Sequence, residues 1–196
     1  MTTATSPDSG LRSRVLDAAV RCIGRWGLAK TTLDDIFREA GCSRASVYRA
    51  FPGGKESLVE ALAATEANKF FAGLDQRVLT VDTLPELLIS GIGEALLLLH
   101  AHPALRFLAQ HEPDRLGLAP GDTGMSRALG PAVAFTASHL GRFIRPEKAQ
   151  GAAEWVVRLV LSYAMWPAPG GSPLAEDRVV DLVESFILPS LRTWMV

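Results

Sequence analysis

Apolar residues recur at spacings of three and four along most of this chain, and no stretch alternates in the way a strand would. Leu16, Ala19, Val20 and Ile23 form the stripe of a helix predicted over residues 11–26, and Gly27 stops it after Trp26. Leu33, Ile36, Phe37 and Ala40 make a second stripe. Thr32 stands at its start with Asp35 three residues on, the pattern of a capping box, and Gly41 supplies a left-handed stop. Ser43 can cap a third helix, in which Val47 and Phe51 face inward. Arg44, Ala45, Ser46, Tyr48 and Arg49 are left on its outer face. So polar a helix is poorly explained by core packing and well explained by contacts to phosphates and base edges. Two short helices about a glycine turn, supported by the first, predict a helix-turn-helix.

Beyond it the pattern stays helical, without internal repeats. A long helix is predicted over residues 54–78. Another begins near Thr83-Leu84-Pro85, with proline in the first turn where its missing N–H costs little. It carries Leu87, Leu88, Ile92 and the run Leu96 to Leu99, which points around the whole helix and predicts burial on most sides. His100-Ala101-His102-Pro103 breaks it; a short helix follows over 104–110, then a Pro-, Gly- and acid-rich segment, His111 to Gly121, expected to be a mobile loop. A further helix covers roughly 124–143. Trp155, Val156, Leu159, Val160 and Tyr163 form a stripe, interrupted at Pro167–Pro173 and resumed by Val179, Val180, Leu182, Val183, Phe186, Ile187 and Leu191. Such broad faces are either core or interface.

Composition alters this picture little. The 196 residues are 48% hydrophobic with net charge −1, enough for a small head and a larger core. Residues 1–60 hold nine Lys/Arg and seven Asp/Glu, about +2, balanced by the remainder. No basic-apolar-cleavage leader is visible and the longest apolar runs read as too short to span a bilayer, so a cytoplasmic protein is expected. Residues 1–10 are expected to be a disordered tail. Cys22 and Cys42 are expected to be packed, reduced thiols rather than a redox pair. His100, His102 and His111 with Glu112 and Asp114 match no compact zinc spacing, and the chain has no Gly-x-Ser-x-Gly, phosphate loop or dinucleotide fingerprint. Gly53-Gly54-Lys55 is too short for a nucleotide loop, while a lysine at a helix amino end suits one DNA phosphate. No catalytic residue, metal or cofactor is expected.

Ala18-Ala19, Trp26-Gly27, Thr31-Thr32, Ile36, Ala40-Gly41, Ser43, Val47-Tyr48, Phe51 and Lys55-Glu56-Ser57-Leu58 together resemble the TetR-type transcriptional regulators, over roughly residues 12 to 62. The Pro52-Gly53-Gly54 turn, one residue longer than the commonest form, resembles a branch common in actinobacteria. Ala45 stands where the family commonly has Gly or another small residue, and Ala50 where it has an aromatic or His. The resemblance implies an all-α fold of about nine helices. An amino-terminal helix-turn-helix domain, 11–53, would precede a carboxy-terminal ligand-binding and dimerisation domain, 54–196. It implies Thr31 or Thr32, Tyr48 and Lys55 on phosphates, and Arg44, Ala45, Ser46 and Arg49 at base edges or the groove wall. It implies a homodimer through the last two helices, for which the candidates are Trp155, Leu159, Tyr163, Val179, Val183, Phe186 and Ile187, on palindromic operator DNA. A small hydrophobic effector would lie among the fifth to eighth helices. Its candidate lining is Leu88, Ile92, Leu96, Leu99, Phe107, Leu108, Phe135, Leu140, Phe143 and Trp166, with His100 and His139 as polar groups. Three functions follow: a ligand-released repressor, a regulator without ligand or an activator, and an all-helical enzyme, against which the lack of any acid-base or metal constellation argues.

Overall fold

The computed structural model describes residues 7–116, 124–166 and 175–196. Among them are helices and one isolated β-bridge, between Ile144 and Met195, and no sheet. The chain divides into two compact units. One runs through Asn68 and also takes in His102–Arg115; the other comprises Lys69–Ala101 and Leu116–Val196. The division therefore falls inside a helix, beyond the expected boundary at Gly54, and the short helix before His111 groups with the head.

In the first unit, α1 (Pro7–Lys30) is helical from Pro7, so the expected disordered tail is already helix at Pro7–Gly10; residues 1–6 lie outside the described residues. Gly27, at φ 81° and ψ 165°, interrupts α1 directly after Trp26. Next comes α2 (Leu33–Ala40), opened by the full Thr32–Asp35 capping box and closed by Gly41 at φ 62°. The seven residues of α3 (Arg44–Ala50) are capped by Ser43, whose Oγ accepts from the Ser46 amide at 3.2 Å. The unit also holds the first part of α4 (Gly54–Val78) and, further along the chain, α6 (Pro103–His111). The core under α2 and α3 is Val15, Ala19, Ile23, Ile36, Phe37, Val47, Phe51 and Leu58. Burial of the stripe residues, roughly 1.5–3 kcal/mol for each large side chain, holds helices too short to persist alone.

The second unit contains the rest of α4, then α5 (Leu84–Ala101), α7 (Gly124–Leu140), α8 (Pro146–Met165), α9 (Glu176–Leu182) and α10 (Leu188–Arg192). A π turn, Val183–Ile187, joins α9 to α10. Pro189 follows it; proline cannot donate to the carbonyl one turn back, and a wider turn accommodates that loss. The core runs through Leu84, Leu88, Ile92, Leu96, Leu140, Ile144, Val156, Val183, Ile187 and Leu191. By length and composition alone α5 is apolar enough to cross a bilayer, which corrects the reading that every apolar run is too short. Its Leu84, Leu87, Leu88, Ile92, Ala95 and Leu96 pack in this core. Of the four consecutive leucines only Leu96 is buried and Leu97 is exposed, so the helix is one-sided rather than buried on most sides. Pro113–Leu116 forms a 3-10 turn within the expected loop; the rest of that loop, residues 117–121, and the break over residues 167–173 lie outside the described residues.

Candidate nucleic-acid interface and effector region

The outer face of α3 is built by subtraction. Val47 and Phe51 are almost fully buried, which turns Arg44, Ala45, Tyr48 and Arg49 outward and leaves Ser46 partly exposed. Tyr48 is 43% exposed and steadied by an edge contact with Phe37, ring centroids 6.1 Å apart. Arg44 lies near the Tyr48 ring and 3.6 Å from the Asp34 carboxylate.

The structure corrects Thr31. Its side chain is buried and its hydroxyl donates to Gly27 O at 2.6 Å, so it closes the α1–α2 corner and cannot reach a phosphate. Thr32 is exposed but occupied: its Oγ1 donates to Asp35 Oδ2 and accepts from the Asp35 amide, and its own amide donates to Asp35. These bonds, the hydroxyl first, hold the Asp35 carboxyl below its usual range. Lys55, expected on a phosphate, donates from Nζ to Leu28 O at 2.7 Å and is half-buried, bracing the same corner from α4.

Arg12, Glu112 and Glu39, to which the sequence pattern assigns no part in this surface, support it. Arg12 donates to Ala50 O at 2.8 Å and stacks its guanidinium 4.4 Å from the centre of the Phe51 ring. It thus puts a cation on an unpaired carbonyl at the carboxy end of α3, the end a positive charge favours. Glu112 accepts from the Ala29 amide at 3.1 Å, beside Gly27. Glu39 accepts from Arg21 at 2.6 Å and from Arg25 at 2.9 Å, joining α2 to α1; the Arg21 bond is the main cause of its lowered carboxyl pKa. Arg12 and Glu112 meet partners 38 and 83 residues away, beyond any local sequence signal.

The remaining polar candidates are structural. His102 caps α6, its Nδ1 accepting from the Leu105 amide at 3.1 Å while Nε2 lies 3.0 Å from Glu66. That arrangement places the ring proton on Nε2. His139 lies between Phe135 O and Asp75, and His111 packs on Phe107. Cys22 is buried; burial first, then the nearby Glu39 and Asp35 carboxylates, push its thiol pKa up, which disfavours the reactive thiolate.

The residues of the expected effector lining are dispersed. Leu88, Ile92 and Leu140 are core, Phe107 and Leu108 belong with α6 in the first unit, and Trp166 is 70% exposed. Leu99, Phe135 and Phe143 are partly buried against the core, and His100 is partly exposed. Of them only Leu96 lines the described cleft, a space of about 80 Å³ among α5, α8, α9 and the π turn that it shares with Tyr163, Arg178, Val179, Asp181, Leu182 and Phe186. That is small beside the roughly 300–1,000 Å³ of ordinary ligand pockets. The expected dimer face divides similarly. Val179 on α9 and Val183 and Ile187 on the π turn are buried within their own unit. Trp155 and Phe186 are exposed, at 40% and 63%, and Leu159 and Tyr163 partly so.

Residues 15–62 match the sequence profile described as bacterial regulatory proteins, tetR family. An uncharacterised HTH-type transcriptional regulator of Mycobacterium tuberculosis is 28% identical over 176 residues, covering 90% of this chain and 83% of that protein. Among solved structures, the TetR family repressor AlkX from Dietzia sp. strain DQ12-45-1b, implicated in biodegradation of n-alkanes, superposes with a TM-score of 0.65 at 24% identity, over 98% of this chain and 99% of AlkX. AibR, solved in complex with isovaleryl coenzyme A and operator DNA, superposes with a TM-score of 0.64 at 20% identity, over 91% and 98%.

Proposed function

We propose, from the premise that the chain is a transcriptional regulator of the TetR family, that it is a cytoplasmic repressor which binds palindromic operator DNA as a homodimer and is released by a small hydrophobic ligand. The observation that carries the DNA half is α3: seven residues, capped, backed by two buried side chains, with Arg44, Tyr48 and Arg49 left outside. Arg44 and Arg49 then read base edges or the groove wall, and Tyr48 meets a phosphate. Exposed Trp155 and Phe186, with Leu159 and Tyr163, support a two-fold contact, which sets two reading helices one DNA turn apart. No step asks for catalysis. A hydrophobic effector is supported by the apolar second unit and by AibR and AlkX, one solved with an acyl thioester and the other implicated in alkane breakdown. A regulator without effector is the second reading, favoured by the size of the described cleft and by the burial of Leu88, Ile92 and Leu140.

The test is a gel shift on the DNA upstream of the protein's own gene. Arg44→Ala should weaken binding by roughly 1–3 kcal/mol at the base it reads. If Arg44→Ala and Tyr48→Ala both leave affinity unchanged, the surface is misassigned. Release by an apolar compound that also raises the melting temperature selects the first reading over the second.

A further inference from the structure

An acid stands beside the reading helix. Asp34, in the first turn of α2, holds Oδ1 3.6 Å from Nη2 of Arg44, in the first turn of α3. The other carboxylates of α2 are engaged elsewhere, Asp35 in the capping box and Glu39 with Arg21 and Arg25. Arg44 also lies near Tyr48, the guanidinium carbon 5.9 Å from the ring centre. Arg44 thus has a carboxylate and an aromatic ring as neighbours, on a helix that also exposes Ala45 and Arg49.

An anion on a phosphate-facing surface weakens DNA binding in general. The pair with Arg44 also adds little to folding: 3.6 Å is too long for a hydrogen bond, and the side chains are 67% and 57% exposed. Its effect changes in a groove from which water is expelled, where the same charges attract more strongly. There a carboxylate at one edge of the guanidinium decides where its remaining N–H groups point. Guanine offers O6 and N7 as two in-plane acceptors, which an oriented arginine meets bidentately.

We infer that Asp34 is a specificity-determining residue: its repulsion of phosphates weakens binding to every sequence alike, and only a guanine placed for the Arg44 it orients recovers that loss. This rests on the DNA-binding reading above. Asp34 at a helix amino end also favours α2 through the helix dipole. That role alone predicts a lower melting temperature and equal loss of affinity for every duplex.

The experiment selects duplexes from a random pool with the full chain, then measures affinity for an enriched and an unrelated duplex. The proteins are wild type, Asp34→Asn, Asp34→Ala, Arg44→Ala and the Asp34→Asn/Arg44→Ala pair. Both Asp34 variants should bind the unrelated duplex at least as tightly as wild type. Their preference for the enriched duplex should fall about tenfold, within the range of one bidentate base contact. In the Arg44→Ala background, Asp34→Asn should leave the preference unchanged within about twofold, since the two residues then act as one. An unchanged preference in both Asp34 variants overturns the inference. So does a parallel loss on both duplexes with a lowered melting temperature. A wild-type chain that binds no duplex removes the DNA-binding reading itself, and this inference with it.

Discussion

Gly27 and Gly41 both hold positive φ, yet alanine would meet different surroundings at each. Gly27 sits at φ 81° and ψ 165°, a region essentially closed to residues with a Cβ, at a cost of about 1–3 kcal/mol. A Cβ there would lie 2.1 Å from Glu112 Oε1 and 2.6 Å from Phe107 Cε1. The carboxylate can swing away, but only by giving up its bond to the Ala29 amide, about 1 kcal/mol net. The ring is packed, and forcing it aside adds about 1–3 kcal/mol. Gly27→Ala should therefore cost about 3–7 kcal/mol, a large share of the stability of a small domain. Gly41 is ordinary left-handed helix, at φ 62° and ψ 39°, and a Cβ there would have no atom within 4 Å. Gly41→Ala should cost only about 1–2 kcal/mol. The assay is urea unfolding followed by circular dichroism and by Trp26 emission, with the other three tryptophans changed to phenylalanine. Adding Glu112→Ala to Gly27→Ala removes the closest contact, so the pair should be less destabilised than the sum of the two changes. Equal costs at Gly27 and Gly41, or a Gly27→Ala cost under about 1 kcal/mol, would refute a corner held by close packing against Glu112 and Phe107.

Three further outcomes are expected. Arg12→Ala should destabilise the head by about 1 kcal/mol, from an exposed bond and a stacked cation. It should weaken operator binding with an unchanged salt slope, whereas a slope reduced by about one would show Arg12 on a phosphate instead. The Asp35 and Glu39 carboxyls are held below their usual range by Thr32 and Arg21. Their contribution is therefore complete above the ordinary carboxylate values, about 4, and is lost as pH falls through the lower folded values. Amide exchange in α2 should quicken in that acid window, and Thr32→Val should flatten the dependence. Phe186→Glu, at an exposed apolar position, should leave the fold intact and shift sedimentation from dimer towards monomer; a wild-type chain that sediments as a monomer at micromolar concentration would remove the two-fold contact.

The elements of the head were legible in the sequence because their causes are local. The Thr32–Asp35 box, Gly41, the Ser43 cap and the stripe Leu33–Ile36–Phe37 lie within one turn of the groups they satisfy, and each forms as expected. The outward set on α3 was legible for the same reason, since Val47 and Phe51 settle one face and the rest follow from the helical period. Spacing does not say what covers a face. Val179, Val183 and Ile187 shared the expected stripe with Phe186, yet the first three are buried in their own unit and Phe186 is exposed. Thr31 and Thr32 are neighbours with the same side chain; one is buried on Gly27 O and the other caps α2 at the surface. What only the tertiary structure decided are the contacts between elements: Arg12 on Ala50, Lys55 on Leu28 and Glu112 on Ala29 across long stretches of chain, and Asp34 beside Arg44 across the turn from α2 to α3. The helical period fixes which residues share a face, because it is a property of the backbone. Which face meets core, solvent or a distant carbonyl depends on how the other helices pack, and that is settled by the burial available to the whole chain.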